Sequence, residues 1–351
     1  MTPAGPDDAG AAAGTPADTA PHVRAIAWEG FDALELSNGR ISVVVVPQMG
    51  GHVASLRDVA ADREWLWRNP RLTPRLAPYG AWFDDWWSGG WDEIFPGGEE
   101  SRLRGEKLPY MGEAWCLPWS VTATSASPTE ASLTVAVDGN IAAARFTRTF
   151  TLRRGEPVLR VHYRIESLDV QPMPFTWGIH PAFAVNADCR LDHTATRMVA
   201  AVSSDSSMGG VGQAYDWPWL PDLREGGAWN MQLVRDRMDR SLGGHWATNP
   251  TAGWLAVTDR TARRGIAYAF DRAVFPFAWL FMVYGGWRGH LLAAVEAWTS
   301  MPQDIEGAVA AGTARTLAPG EVLETDVAFI LHEGLDAVTG VDRTGDGFLV
   351  R

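Results

Sequence analysis

Cysteine is nearly absent: the 351 residues contain two, Cys116 and Cys189. No C-x-x-C or comparable spacing exists, and His52, His245 and His290 have no ligand spacing with one another. A zinc or iron enzyme is therefore disfavoured. One disulfide is formally open, but two free thiols in a reducing compartment are the expected state. Lysine is scarcer still, since Lys107 is the one lysine among 30 basic residues. Against them stand 42 acidic residues, for a net charge of −12. A nucleic-acid backbone or an anionic membrane needs a basic face, so neither is expected as a partner. No apolar run approaches the roughly 18 residues of a membrane helix. There is no G-x-S-x-G, no Walker loop and no G-x-G-x-x-G opening a helix. Helical periodicity is scarce. Only Asp304 to Ala311 reads as a short helix, stopped by Gly312.

What is present is strand signal. Arg40–Pro47, RISVVVVP, is β-branched and follows Asn38-Gly39 and the strand-like Ala33–Ser37. Asn-Gly between two such runs predicts a hairpin. Asp138-Gly139 repeats this between SLTVAV and IAAARFTRTFTL, and Arg154-Gly155-Glu156-Pro157 leads into VLRVHYRIES. In that last run Val158, Arg160, His162 and Arg164 alternate with Leu159, Val161, Tyr163 and Ile165, the period of a half-buried strand. Further strands are expected at Phe175–Phe183, Gly253–Thr258, Gly265–Phe270, Ala278–Tyr284, Leu291–Trp298 and Val322–Leu331. Arg71–Arg104 and Ser203–Gly227 read as irregular excursions, and long loops are often functional. Residues 1–21 are rich in Ala, Pro, Gly, Thr and Asp. They lack the basic and apolar regions of a secretory signal and read as a disordered tail. The expected organisation is that tail, one all-β antiparallel sandwich domain over residues 22–335, and a C-terminal tail over 336–351. A cytoplasmic protein is expected.

The most informative feature is where charge is missing. From Leu291 to Gln303 the only ionisable side chain is Glu296. In LLAAVEAW it shares a strand face with Leu292, Ala294 and Trp298. A carboxylate on an apolar face is costly unless it is paired or its pKa rises, and a raised carboxyl suits acid–base work near neutrality. The competing reading is an edge strand with that face in water. Likewise, Gln171–Ala187 contains one titratable group, His180, among aromatics and prolines. It is either a core histidine bonded to a carbonyl or a proton donor tuned near neutral pH. An isolated Glu and an isolated His in contrasting surroundings are how acid and base roles are divided.

Tryptophan is abundant: 18, against 6 Tyr and 13 Phe. In Trp82–Glu100, WFDDWWSGGWDEIFPGGEE, it interleaves with carboxylates and glycine pairs. Aromatic faces cover the C–H surface of a sugar, carboxylates bind its hydroxyls, and glycines allow close approach. The alternative is an acidic solvated loop whose Trp side chains cap the sandwich. The spacing D-D-x6-D-E does not match an EF-hand loop, so calcium is weakly supported.

In this order the motifs resemble the aldose 1-epimerase (galactose mutarotase-like) superfamily, from about Phe31 to His332. ISVVVVPQMGGHVASLRD and REWLWRNP are similar to its opening strand, its Pro-x-x-Gly-Gly turn and its W-x-N-P segment. SGGWDEIFP, WGIHPAF, AAVEAWTSMP and LAPGEVLETDVAF follow in the family's order. The resemblance implies a β-supersandwich and a cofactor-free mutarotase without a metal, acting on a small carbohydrate. It implies Glu296 as general base and His180 as general acid. Trp91, Asp92, Glu93, Glu113, Trp177 and Arg68 are the expected substrate contacts, and a monomer or homodimer is expected. Two departures stand out. Met111-Gly112 replaces the His-Gly of many relatives, so that either Glu113 or the acidic loop compensates or the substrate differs. Ser88 stands before Gly89-Gly90 where hexose-6-phosphate epimerases carry Arg, so a phosphorylated sugar is disfavoured. Arg68 and Arg71 could bind a carboxylate or serve as surface ion-pair partners. A non-catalytic sugar-binding protein, or a lyase or isomerase of a modified sugar or glycoside, are the alternatives on this scaffold.

Overall fold

A computed structural model describes residues 19–204, 206–222 and 226–351. Most of the expected N-terminal tail lies outside the described residues. Two large sheets, of twelve and eight strands, dominate the described residues. The expected hairpins form where their turn residues stand. Phe31–Ser37 pairs with Ile41–Val46 across Asn38-Gly39, with Ser37 opposite Ser42. Ala144–Arg153 pairs with Val158–Ser167 across the Arg154–Pro157 turn. The helix forms over Ile305–Ala311. Asp304 caps it by accepting the Gly307 N–H, and Gly312 ends it in the left-handed conformation.

The sandwich core lies between the sheets. Trp91, Ile179 and Val295 from the larger sheet meet Phe146, Phe150, Tyr163 and Phe329 from the smaller. Because strand side chains alternate, the neighbours of these residues point out of the opposite face of the larger sheet. There a second apolar cluster forms, of Ile94, Trp246, Trp279, Leu292 and Trp298, roofed by Trp67, Phe83, Trp87 and Trp115.

Two sequence expectations need correction. The Arg71–Arg104 excursion is not all loop: Phe83–Trp86 is a helical turn, and Trp91–Ile94 is an interior strand of the larger sheet. Its Gly-Gly pair feeds that strand, whose faces are buried by the inter-sheet core on one side and the outer aromatic cluster on the other. Residues 336–351 are no tail either. Val341–Thr344 and Gly347–Val350 form a hairpin. Its Val341, Phe348 and Val350 pack on Val158, Ala328 and Ile330 of the smaller sheet. The turn residues Gly345 and Asp346, between short apolar runs, are the signal that points to it. No helix among the described residues is long and apolar enough to cross a membrane. Both cysteines are free thiols.

Candidate active site

Register builds the site. The Trp91–Ile94 strand pairs with Gly178–Phe183 so that Asp92 lies opposite His180. Gly178–Phe183 pairs with Leu291–Trp298, Gly178 opposite Trp298 and Ala182 opposite Ala294. Counting inward from both pairs puts His180 beside Glu296. The next strand, Phe277–Tyr284, puts Trp279 opposite Glu296. Asp92, His180, Glu296 and Trp279 thus form one cross-strand row, all on the outer face of the larger sheet.

His180 Nε2 is 3.5 Å from Glu296 Oε1, and both side chains are buried. Trp298, two residues along the same face, donates its indole N–H to Glu296 Oε2 at 2.7 Å. Gly178 makes room for that indole, since a Cβ there would lie 2.3 Å from Trp298 Cε2. The His180 ring is held edge-on by Phe83 and Trp87, at 5.6 and 5.2 Å between centroids. Burial pushes the Glu296 carboxyl well above its ordinary range, opposed by the Trp298 hydrogen bond. Burial also holds the His180 imidazole down at about 4, opposed by the charge of Asp92. Both effects favour the uncharged forms, a carboxylic acid beside a neutral imidazole. Such a pair carries one mobile proton, with one group able to give and the other able to take.

At the other end of the row His52 Nδ1 donates to Asp92 Oδ1 at 2.7 Å. Gly90 permits this packing, because a Cβ would lie 2.4 Å from His52 Cε1. Next to them is a small cavity of about 30 Å³, lined by His52, Asp92, Phe83, Trp86, Trp87 and Trp115 among others. Of its lining residues Trp87 has a buried indole nitrogen with no hydrogen-bond partner; His180 Nδ1, which is not part of the lining but whose ring packs on Trp87, is a second such atom. Buried polar groups are rarely left unpaired, and an unpartnered indole N–H in the wall of a cavity suits a polar ligand. Trp82, half-exposed, stacks on Tyr110 at 4.0 Å between centroids. Burial raises the Tyr110 hydroxyl, and the charges of Asp84, Glu99, Glu100 and Glu296 add to the rise.

The remaining expected contacts lie elsewhere. Trp91 and Glu93 on the opposite face of their strand, and Trp177 just before Gly178–Phe183, are fully enclosed. Glu93 accepts from Arg148, Tyr163 and both indoles: Arg148 Nη1, Tyr163 Oη and Trp177 Nε1 at 2.9 Å each, and Trp91 Nε1 at 3.1 Å. These residues build the inter-sheet core and do not face the cavity. Glu113 is also taken: it accepts from the Tyr79 hydroxyl and the backbone N–H groups of Asn140, Ile141 and Ala142. It braces a hairpin loop and leaves no lone oxygen to stand in for a histidine at Met111. Arg68 pairs with Glu29 at the surface and lies over Trp28. His52 is the residue the sequence reading missed. It lies 40 positions from Asp92, and no local signal in the sequence joins the two. Among the described residues no group of three His, Cys, Asp or Glu side chains converges as a metal site.

Comparison with known proteins agrees with this architecture. No protein-family model and no curated protein matches the sequence. Solved structures do match. A Klebsiella pneumoniae protein named provisionally as an aldose 1-epimerase superposes with TM-score 0.69 at 14% identity, over 87% of this chain and 80% of its own. A galactose mutarotase-like protein of Clostridium acetobutylicum superposes with TM-score 0.60 at 14% identity, over 90% and 99%. One from Lactobacillus casei gives 0.60 at 17% identity, over 86% and 100%. The fold is galactose mutarotase-like. At these identities the likeness establishes the architecture, and a chemical reading has to come from the site.

Proposed function

We propose that the protein is a mutarotase: it interconverts the α and β anomers of an unphosphorylated aldose. The observation that carries this reading is the buried His180–Glu296 pair, in register across two strands and 3.5 Å apart. The names of the fold's solved neighbours point the same way. Ring opening needs one proton removed from the anomeric hydroxyl and one delivered to the ring oxygen. Glu296 takes the first and His180 gives the second. The open aldehyde turns about C1–C2, and closure on the other face returns both protons. The chemistry relays protons only, so the pair needs no cofactor.

The starting state of this cycle is carboxylate and imidazolium; the open-chain state is carboxylic acid and imidazole. Burial favours the second distribution in the empty pocket, while the charge of Asp92 favours imidazolium. A proton moving across the 3.5 Å contact exchanges the two. Asp92, held by His52, therefore keeps the acid available. In this reading the His52–Asp92 pair supplies the polar contacts that Met111 cannot. The cavity has room for about one or two waters and not for a sugar, so in this reading a sugar enters only when the Phe83–Trp86 turn moves aside.

Anomer-exchange NMR on a panel of free aldoses tests the proposal. Acceleration by the wild type, lost in Glu296→Gln with sugar binding retained, is the expected result. Sugar binding with no exchange would instead assign a non-catalytic carbohydrate-binding protein. Loss of a carbon-bound proton or of a leaving group would assign a lyase or another isomerase.

A further inference from the structure

A second cleft opens at the start of the Glu296 strand. It measures about 360 Å³ and is lined by Trp67, Pro70, Arg71, Arg237, Gly289, His290 and Leu291. Arg71 and Arg237 come from segments more than 160 positions apart in the chain, yet both turn toward Gly289. Their Nη2 atoms lie 4.0 and 3.3 Å from the point where a Cβ on that residue would stand. Gly289 has φ +65°, so a glycine there leaves this space open without strain.

Neither guanidinium has an acidic partner among the described residues. The carboxylates flanking Arg237 are engaged elsewhere: Asp236 accepts the Met238 N–H, and Asp239 accepts from Arg235 and Ser241. Arg71 Nη2 is 3.4 Å from His290 Nδ1. An arginine can only donate, so Nδ1 accepts and the imidazole carries its proton on Nε2. The His290 ring is clamped edge-on between Trp67 and Trp287, at 4.9 and 5.4 Å. A third guanidinium, Arg288, is satisfied by Asp85 and the Asp84 carbonyl. Burial and the positive charge of Arg71, Arg288 and Arg237 hold His290 down at about 4. In a protein of net charge −12, two converging guanidiniums without a carboxylate partner among the described residues make a local concentration of positive charge.

From this geometry we infer that the Arg71–Arg237–His290 cleft binds a small oxyanion, a carboxylate or a phosphate group. Forked guanidiniums match the geometry of either group, and both can donate to one ligand held over Gly289. The site is separate from the proton-relay pair and does not rest on how that pair is read. It still borders the same aromatic cluster, because Trp67 packs on Trp87 at 5.3 Å and Trp87 on His180.

The test is a titration with inorganic phosphate and, separately, with acetate, in chloride buffer at constant ionic strength. Calorimetry gives affinity, and NMR follows the His290 imidazole. The wild type is expected to bind at least one of the two saturably, with the His290 signal shifting. Arg71→Gln with Arg237→Gln should weaken that binding by about tenfold or more. Thermal unfolding of the double variant close to the wild type would show that the fold is intact. Tighter phosphate binding assigns a phosphate ester as the source of the oxyanion; tighter acetate binding assigns a carboxylate. No saturable binding of either probe, or unchanged binding in the folded double variant, would overturn the proposal.

Discussion

Two carboxylates of this protein are equally buried, and they lie on opposite faces of one sheet. Glu93 points between the sheets and accepts four hydrogen bonds, one from the guanidinium of Arg148. Glu296 points outward and accepts one, from Trp298, with the neutral ring of His180 as its other neighbour. Burial raises both pKa values, but Arg148, Trp177 and Tyr163 pull Glu93 back, while Trp298 alone opposes the rise at Glu296. A buried carboxyl becomes structural when its lone pairs are filled by fixed donors. It becomes chemically available when they are left open beside a proton carrier.

The sharpest way to break that comparison is to neutralise each carboxyl in turn. Glu296→Gln is expected to slow anomer exchange by roughly 10² to 10⁴, the range for a positioned acid or base. It should not destabilise the fold. The unfolded chain loses the Glu296 proton near its ordinary pKa, whereas the folded protein keeps it, so rising pH favours unfolding through this residue. Removing the group should therefore raise stability at neutral pH by roughly 0.5–2 kcal/mol, with no such gain at pH 4. Thermal unfolding at both pH values checks this. Glu93→Gln should do the opposite. It leaves Arg148 buried without its counter-ion, a loss of roughly 3–5 kcal/mol, with the exchange rate of the folded fraction nearly kept. Denaturant unfolding beside single-temperature kinetics separates the two effects.

Smaller effects sharpen the picture. Asp92→Asn removes the charge that favours imidazolium on His180, so the acid limb of the rate profile should move to lower pH and the rate fall by about tenfold. In a pH series on the variant, an acid limb left where the wild type has it would mean that Asp92 has no such influence. The buried imidazoles His180 and His245 and the half-buried His193 are held down at about 4, 4 and 3. The unfolded chain takes up protons that the fold refuses, so stability should fall as pH drops from about 6.5 toward 4. Arg68→Gln should be nearly silent in rate and cost at most about 1 kcal/mol, as expected of an exposed ion pair.

Most of the fold was legible because its signals are local. Asn38-Gly39 and the alternation of Val158–Ile165 each predict their element from a few neighbouring residues. Glu296 and His180 were legible for a related reason: each is the one titratable group in a run that a sheet must bury. Trp91 and Glu93 turn away from the cavity for a single reason. Trp82–Glu100 was read as one loop, where all side chains converge on a ligand. The structure makes Trp91–Ile94 a strand, and alternation sends Asp92 to the cavity but Trp91 and Glu93 to the core. Trp177 follows the same rule, three residues before His180 and on the other side. Pairings over long separations, such as His52 with Asp92 or Arg71 with Arg237, have no local signal and come only from the topology.

The measurement that tests the account most directly is exchange rate and unfolding midpoint on the same samples of wild type, Glu296→Gln and Glu93→Gln. The account predicts that the two variants separate: one folded and slow, the other unstable but fast while folded. A Glu296→Gln protein that exchanges anomers at the wild-type rate would contradict it, as would a Glu93→Gln protein that is fully stable and inactive.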